Sequence, residues 1–180
     1  MRNYFLGLCL LFALCFTACS HSDDSVDVLI IGGGASGVTA GIQSARMGAA
    51  TLIVEETEWL GGMLTSAGVS AVDGNYDLPA GLFGEFREHL ADYYGGLDSL
   101  KTGWVSAVLF EPSVGNKIFH EMVDAEKNLK VWHNATLVKL EREKDVWIAQ
   151  IQMKDNTIKK IHAKILIDGT ELGDIAKCAG

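Results

Sequence analysis

The chain has 180 residues, of which 48% are hydrophobic and 21% charged, so its composition is that of a globular protein with one domain, or two at most. Its net charge is −8 and no run of lysine or arginine stands out, which argues against nucleic acid or an anionic membrane surface as a partner. The 20 glycines are clustered, which indicates tight backbone turns rather than disorder.

Residues 1–19 have the pattern of a secretory signal and are predicted to lie outside the fold. Arg2 precedes an apolar run of 13 residues (4–16), which would span about 20 Å as a helix, less than the ~30 Å of a bilayer core. The ending F-T-A-C resembles the lipobox of bacterial lipoproteins, with Phe16 at a position where Leu is usual. That resemblance implies that Cys19 becomes the acylated first residue of the mature protein. An uncleaved anchor helix is the alternative.

Residues 20–25 form a short polar tether that is similar to the acidic segment after the lipidated cysteine of surface-exported lipoproteins. Removal of the signal and acylation of Cys19 would leave Cys178 as the one remaining cysteine, so we expect no disulfide within the mature chain. We therefore expect an exported protein, on the periplasmic or cell-surface face of a bacterial membrane, held there by its lipid alone.

The domain is predicted to begin at Val26 with a β-α-β unit. The apolar run 26–31 indicates a buried parallel strand, 35–47 a helix with Gly48 as its C-cap, and 51–54 a second strand. The crossover between the two strands should be right-handed.

Two further helices are predicted after a glycine-rich loop over residues 56–76. Pro79 opens the first, whose apolar face carries Leu82, Phe86 and Leu90, and Pro112 opens the second, whose apolar face carries Val114, Ile118 and Met122. A short strand follows at 130–133, then three antiparallel strands at 137–141, 146–153 and 157–162, and a final buried strand at 165–167. The tryptophans at 104, 132 and 147 are predicted to pack rather than to bind sugar.

The segment from Gly32 to Gly37 reads G-x-G-x-x-G and lies between the first strand and its helix. Gly32 permits the tight turn, Gly34 lets a pyrophosphate approach the backbone, and Gly37 lets the helix pack closely on the strand. The helix N-terminus favours the phosphates, and Glu55 at the end of the second strand can accept hydrogen bonds from a ribose. The pattern predicts a dinucleotide site, for either NAD or FAD.

The rest of the chain favours FAD. Lys130 lies 75 residues beyond Glu55, and an antiparallel meander then intervenes, a layout that resembles the FAD domain of the glutathione-reductase type. A segment E-x-x-x-x-G-G begins at Glu56, and Asp168 opens the segment D-G-T-E-L-G-D. Together with G-G-G-A-S-G, these segments resemble the bacterial FAD-dependent oxidoreductase family over about residues 26–180, with Gly169 where Ala is expected.

That resemblance implies an α/β protein with a Rossmann-like FAD-binding domain at 26–180. The parallel sheet of this domain would carry an antiparallel meander. The domain is expected to be incomplete at its C-terminus, and the substrate domain is expected to be missing. The resemblance also implies FAD as cofactor and a small-molecule substrate. In chain order, the implied contacts are with the pyrophosphate, the ribose, the path to the flavin ring and the adenine, and a last group closes over the cofactor. The residues implied are Gly32, Gly34, Ala35, Ser36, Gly37, Glu55, Glu56, Gly61, Gly62, Met63, Thr65, Leu137, Asp168, Gly169 and Thr170.

Several alternatives stay open. Thr65 and Ser66 fit a turn or an N-cap as well as a flavin contact, and Glu171 and Asp174 fit a helix cap equally well. The histidines have no metal spacing, and Cys178 has no C-x-x-C partner, so neither a metal site nor a redox disulfide is expected. An NAD(P)-dependent dehydrogenase and a non-enzymatic cofactor-binding lipoprotein are the rival functions.

Overall fold

The computed structural model describes residues 24–73, 80–104 and 106–179. Short 3₁₀ turns lie at Gly62–Leu64 and Leu97–Leu100. The helices and strands alternate in the first part of the chain, and three strands follow one another in the last part: β1 (Asp24–Ile31), α1 (Ala35–Arg46), β2 (Thr51–Val54), α2 (Gly81–Tyr94), α3 (Pro112–Asp124), β3 (Leu129–Trp132), β4 (Thr136–Glu143), β5 (Val146–Gln152), β6 (Ile158–Asp168) and α4 (Asp174–Ala179).

The strands form one six-stranded sheet in the order β3-β2-β1-β6-β5-β4. The pairs β3-β2, β2-β1 and β1-β6 are parallel, while β6-β5 and β5-β4 are antiparallel. The last residue of β1, Ile31, pairs with Val54 of β2 and with Asp168 of β6. The predicted α/β fold, a parallel sheet with an antiparallel meander, is confirmed, and the ends of three neighbouring strands meet at one edge of the sheet.

The division of the last strands was predicted wrongly. The segments 157–162 and 165–167 are parts of one strand, β6, which pairs with β5 through its first half and with β1 through its second half. Lys164 does not interrupt it, because Ala163 and Ile165 on either side of it both pair with β1. The exposed Lys164 side chain places its Nζ 2.6 Å from Asp27 Oδ1 of that strand. Ile165 is 55% exposed, so this part of the strand is not buried as expected.

Both faces of the central strands are covered. Val28 and Ile30 point to a core shared with α1, α2 and α3, whereas Leu29 and Ile31 point to a second core shared with the meander. Because successive side chains of a strand face opposite sides, a strand covered on both sides must be continuously apolar. This is the reason for the apolar run that marked β1 in the sequence, which only Asp27 interrupts.

Several element ends differ from the prediction by one or two residues. Helix α1 ends at Arg46 with Met47 as its C-cap, and Gly48 follows with φ +92°, donating its N–H to Ala45 O. Strand β1 begins at Asp24, so the last two residues of the predicted tether pair with β6 instead. Strand β3 also begins one residue earlier than predicted.

Both later helices exist where they were predicted. Phe86 and Leu90 of α2 are buried, and so are the predicted core residues of α3, which begins at Pro112 as expected. Pro79 lies outside the described residues, as do the predicted signal, its Cys19 and residues 20–23 of the tether. Within the described ranges, no helix is both long enough and apolar enough to cross a membrane.

Candidate functional site

The glycine loop between β1 and α1 is shaped by close contacts between backbones. Gly32 has φ +100°, and a Cβ on it would lie 2.5 Å from the carbonyl oxygen of Gly169. A Cβ on Gly37 would lie 1.9 Å from Gly32 O. Neither residue can therefore carry a side chain without moving backbone, as the sequence predicted for the tight turn and the helix packing.

Gly34 differs from these two glycines because nothing in the protein crowds the position where its Cβ would lie. A Cβ on Gly34 would approach one atom, Gly169 O, at an ordinary 3.7 Å. Gly34 is the N-cap of α1, no side chain caps this helix end, and its first turn has no acidic residue. The first N–H groups of α1, which include those of Ala35 and Ser36, thus have no partner from a capping side chain. The space in front of Gly34 fits a phosphate group bound by these N–H groups and by the helix dipole.

The second glycine pair, at Gly61 and Gly62, packs directly on the first loop. Gly61 N–H donates to Gly33 O at 2.8 Å, and a Cβ on Gly62 would lie 3.0 Å from Gly34 Cα. A Cβ on Gly61 would also overlap the ring of Phe119, at 2.6 Å. The G-G pair is therefore needed to bring this segment against the glycine loop, a contact that the sequence did not predict.

Glu55, one residue past β2, joins its strand end to the glycine loop. Its Oε2 accepts the Gly33 N–H at 2.7 Å, and its Oε1 accepts the backbone N–H of Thr57 at 2.9 Å and the hydroxyl of Thr57 at 2.8 Å. A carboxylate offers about four acceptor positions, so three protein donors leave one for a ligand hydroxyl. Glu55 is half-buried and lines the cavity described below.

Asp168, at the end of β6, is bound differently. Its Oδ1 accepts the N–H and hydroxyl of Thr170, and its Oδ2 accepts the Ala176 N–H of α4 at 2.9 Å. Burial alone would raise the pKa of Asp168, but the hydrogen bonds from Thr170 and Ala176 outweigh it and hold that pKa below its usual value. The hydroxyl of Thr170 accepts the Asp174 N–H, so Asp168 and Thr170 together cap α4. The alternative predicted from the sequence, a cap made by the side chain of Glu171 or Asp174, is not what the structure has.

A cavity of about 550 Å³ opens where these strand ends meet, a volume within the usual range of small-molecule sites. Of the residues predicted from the sequence, eight line it: Gly32, Gly34, Glu55, Glu56, Gly62, Leu137, Gly169 and Thr170. It therefore brings together residues from positions 32 to 170 of the chain.

The other predicted site residues do not line this cavity. Ala35, Ser36 and Gly37 lie in the first turn of α1, Gly61 lies under the glycine loop, Met63 is exposed, and Asp168 faces α4. Thr65 is 1% exposed and its hydroxyl donates to Leu60 O at 2.5 Å, which is the turn role that was the alternative for it. Ser66 does line the cavity.

Sequence reasoning missed part of the wall. Thr57, Ala135, Leu172 and Cys178 also line the cavity, together with Ile175 of α4. One signal was available, since Thr57 follows Glu55 by two residues and a threonine there can hydrogen-bond to the preceding acid. Cys178 is exposed and makes no disulfide within the part of the chain that the structure describes.

The remaining side chains considered from the sequence have no place in the site. His120 and His133 stack on each other, and no cluster of metal-binding side chains occurs among residues 24–73, 80–104 and 106–179. Trp132 and Trp147 pack against the second core, as predicted. Trp104 is 99% exposed, so the packing predicted for it is wrong.

The fold is similar to that of several solved structures. A geranylgeranyl bacteriochlorophyll reductase-like protein from Thermoplasma acidophilum is 19% identical with a TM-score of 0.59, over 87% of this chain and 42% of that one. A myxobacterial FAD-dependent chondrochloren halogenase is 12% identical with a TM-score of 0.60, over 82% and 37%. The aromatic hydroxylase CabE is 15% identical with a TM-score of 0.62, over 86% and 33%. The chain thus spans about two fifths of these structures or less.

No curated protein matches the chain. The model of the family described as FAD dependent oxidoreductase matches residues 27–180, which include every residue of the cavity wall. The chain therefore belongs to the FAD-dependent oxidoreductase family.

Proposed function

We propose that this chain binds FAD at the cavity and serves as the FAD-binding part of an enzyme that transfers hydride or electrons between a small organic substrate and the flavin. The observation that carries the proposal is the open space at Gly34, in front of an uncapped helix N-terminus and beside the Glu55 carboxylate. The flavin would supply the redox chemistry, and the protein would bind and orient it.

The residues suit the two ends of the cofactor's adenosine diphosphate half. The N–H groups of Ala35 and Ser36, with the space at Gly34, would hold the pyrophosphate, and the remaining acceptor position of Glu55 would take a ribose hydroxyl. Leu137 would lie against the adenine. The meander joined to the parallel sheet through β6, beside β1, is the feature that supports a domain of the glutathione-reductase type.

The charges of the cavity favour FAD over NADP, the 2′-phosphorylated rival. Glu55, Glu56, Glu171 and Asp174 line it, and its wall has no lysine or arginine among the described residues. A ribose 2′-phosphate is normally neutralised by an arginine, and here it would meet carboxylates. The pyrophosphate would be bound by backbone N–H groups and the helix dipole instead.

The test is the flavin content of the purified full chain and of its Gly34→Val variant. The side chain of valine would fill the space in front of the helix, so the variant should lose the visible flavin absorbance that the wild type retains. Gly103→Val, in a loop away from the cavity, is the control and should retain it. A Gly34→Val protein with normal flavin content would contradict the assignment. Bleaching of the bound flavin by substrate would separate an enzyme from a cofactor carrier.

We also propose that Cys19 is lipidated and holds the protein at a membrane. The proposal is supported by the F-T-A-C ending of the signal. The net negative charge would be repelled by an anionic bilayer, so attachment to a membrane would depend on the lipid. Cys19→Ala should move the protein from the membrane fraction to the soluble fraction. A variant that stays with the membrane would contradict lipid anchoring.

A further inference from the structure

Thr57 donates two of the three hydrogen bonds that the protein makes to the Glu55 carboxylate. Two donors of Thr57, its backbone N–H and its hydroxyl, point at the same oxygen, Glu55 Oε1. The other oxygen, Oε2, is held by Gly33 N–H. Both oxygens of the carboxylate thus have donors from the protein, and these hydrogen bonds restrain the rotation of the side chain.

Thr57 is itself held in place by its neighbours. Its carbonyl oxygen accepts the Asn134 N–H at 3.3 Å and lies 3.2 Å from His133 Nδ1, both just after β3. Its hydroxyl accepts the Trp59 N–H at 3.1 Å. The turn that presents Thr57 to Glu55 is therefore anchored to the strand next to β2, and the carboxylate is oriented before any ligand arrives.

We propose that Thr57 is a positioning residue, which acts through Glu55 on the affinity for the adenosine ribose of FAD; this rests on the proposed function. A preoriented acceptor binds more tightly than a rotating one, because the cost of fixing its rotamer is already met in the free protein. Thr57 also lines the cavity, and direct contact with the cofactor is the alternative that the experiment must separate.

The chain contains a matched control. Asp155 Oδ1 accepts the N–H of Thr157 at 3.0 Å and its hydroxyl at 2.6 Å, so the same pair of hydrogen bonds, made to an aspartate, occurs in the β5-β6 hairpin. Thr157 does not line the cavity. A Thr157 variant without the hydroxyl therefore measures what such a hydrogen bond contributes to the stability of the protein, with no contact to the ribose.

The experiment measures FAD affinity by titration of the full-length apoprotein. Thr57→Val keeps the shape of the side chain and loses the hydroxyl, so FAD affinity should fall about threefold to tenfold, the range for one hydrogen bond. Thr57→Ser should restore affinity to within about twofold, and Thr157→Val should leave it within the same limit.

A double-mutant cycle with Glu55→Ala decides whether Thr57 acts through Glu55. In the Glu55→Ala background, Thr57→Val should have no further effect on FAD affinity, whereas in a direct-contact role it would still weaken binding. FAD with a 2′-deoxyadenosine half is a second probe. The preference of the wild type for FAD over this analogue should shrink in Thr57→Val.

The outcomes separate this inference from the proposed function. A wild-type chain without FAD affinity would overturn both. The positioning role alone would be overturned if the wild type binds FAD and Thr57→Val binds it with equal affinity. It would also be overturned if the losses of FAD affinity in Thr57→Val and Glu55→Ala are additive.

Discussion

The two strand ends on either side of β1 carry the same local turn and use it in opposite ways. At the end of β2, Glu55 accepts the N–H and hydroxyl of Thr57, and at the end of β6, Asp168 accepts those of Thr170. The remaining oxygen of Glu55 reaches the glycine loop at Gly33, whereas that of Asp168 reaches the N-terminus of α4.

The difference separates a cavity wall from a helix cap. Glu55 lines the cavity, and Asp168 does not, although the next two residues, Gly169 and Thr170, do. On the β6 side the glycine loop is met by backbone, at Gly169, and on the β2 side it is met by a side chain. An acid-x-threonine turn at a strand end therefore does not reveal by itself whether the carboxylate faces a ligand.

The largest expected effect comes from breaking the backbone contact on the β6 side. Gly32→Ala should lower the free energy of unfolding by about 1–3 kcal/mol for its positive φ and by about another 1–3 kcal/mol for the overlap with Gly169 O. Gly48→Ala is the control, because Gly48 has φ +92° but nothing within 4 Å of its built Cβ. Denaturant unfolding of the two variants measures the difference. Equal losses would show that the loop yields to the added methyl group.

A smaller effect is expected from Asp168→Asn, which should destabilise the protein by about 1.5–3 kcal/mol at pH 7, the range for hydrogen bonds to a charged group. Because the folded state holds the pKa of Asp168 below its usual value, this stability is complete above about pH 4 and is lost as the pH falls through the lower, folded-state pKa. The unfolding curves of wild type and variant should converge in acid. Hydrogen exchange should accelerate at Ala176, and an unchanged rate there would argue against the cap.

The smallest effect on stability is expected from Glu55→Gln. The amide retains one acceptor oxygen and loses the other. Because the Thr57 hydrogen bonds to Glu55 are exposed, whereas the Thr170 hydrogen bonds to Asp168 are partly buried, the free energy of unfolding without cofactor should fall by only about 0.5–1.5 kcal/mol. FAD affinity should fall about tenfold or more, because the ribose loses a charged acceptor. Unfolding and FAD titration of one preparation check both values. A larger loss of stability than in Asp168→Asn would reverse the comparison of the two strand ends.

Local patterns predicted most of the elements. The apolar run at β1, the helical spacing of Phe86 and Leu90, and the proline that begins α3 each reflect interactions within a few residues, so the sequence alone revealed them. The break predicted within β6 was wrong because the local pattern does not show which distant strands pair. Lys164 interrupts the apolar pattern, but its partner, Asp27, lies 137 residues away in the chain.

The sequence by itself determined the β-α-β unit and the glycine loop, because these depend on glycine geometry and apolar periodicity at short range. It also indicated the family, through the resemblance of three short segments to known members. The tertiary structure alone decided which predicted site residues share a wall. It turned Asp168 toward α4, buried Thr65 under the loop, added Thr57 to the cavity, and set Gly61 and Gly62 on the first glycine loop. Each of these placements depends on contacts between strand ends and loops that are distant in the chain, and only the assembled sheet brings them together.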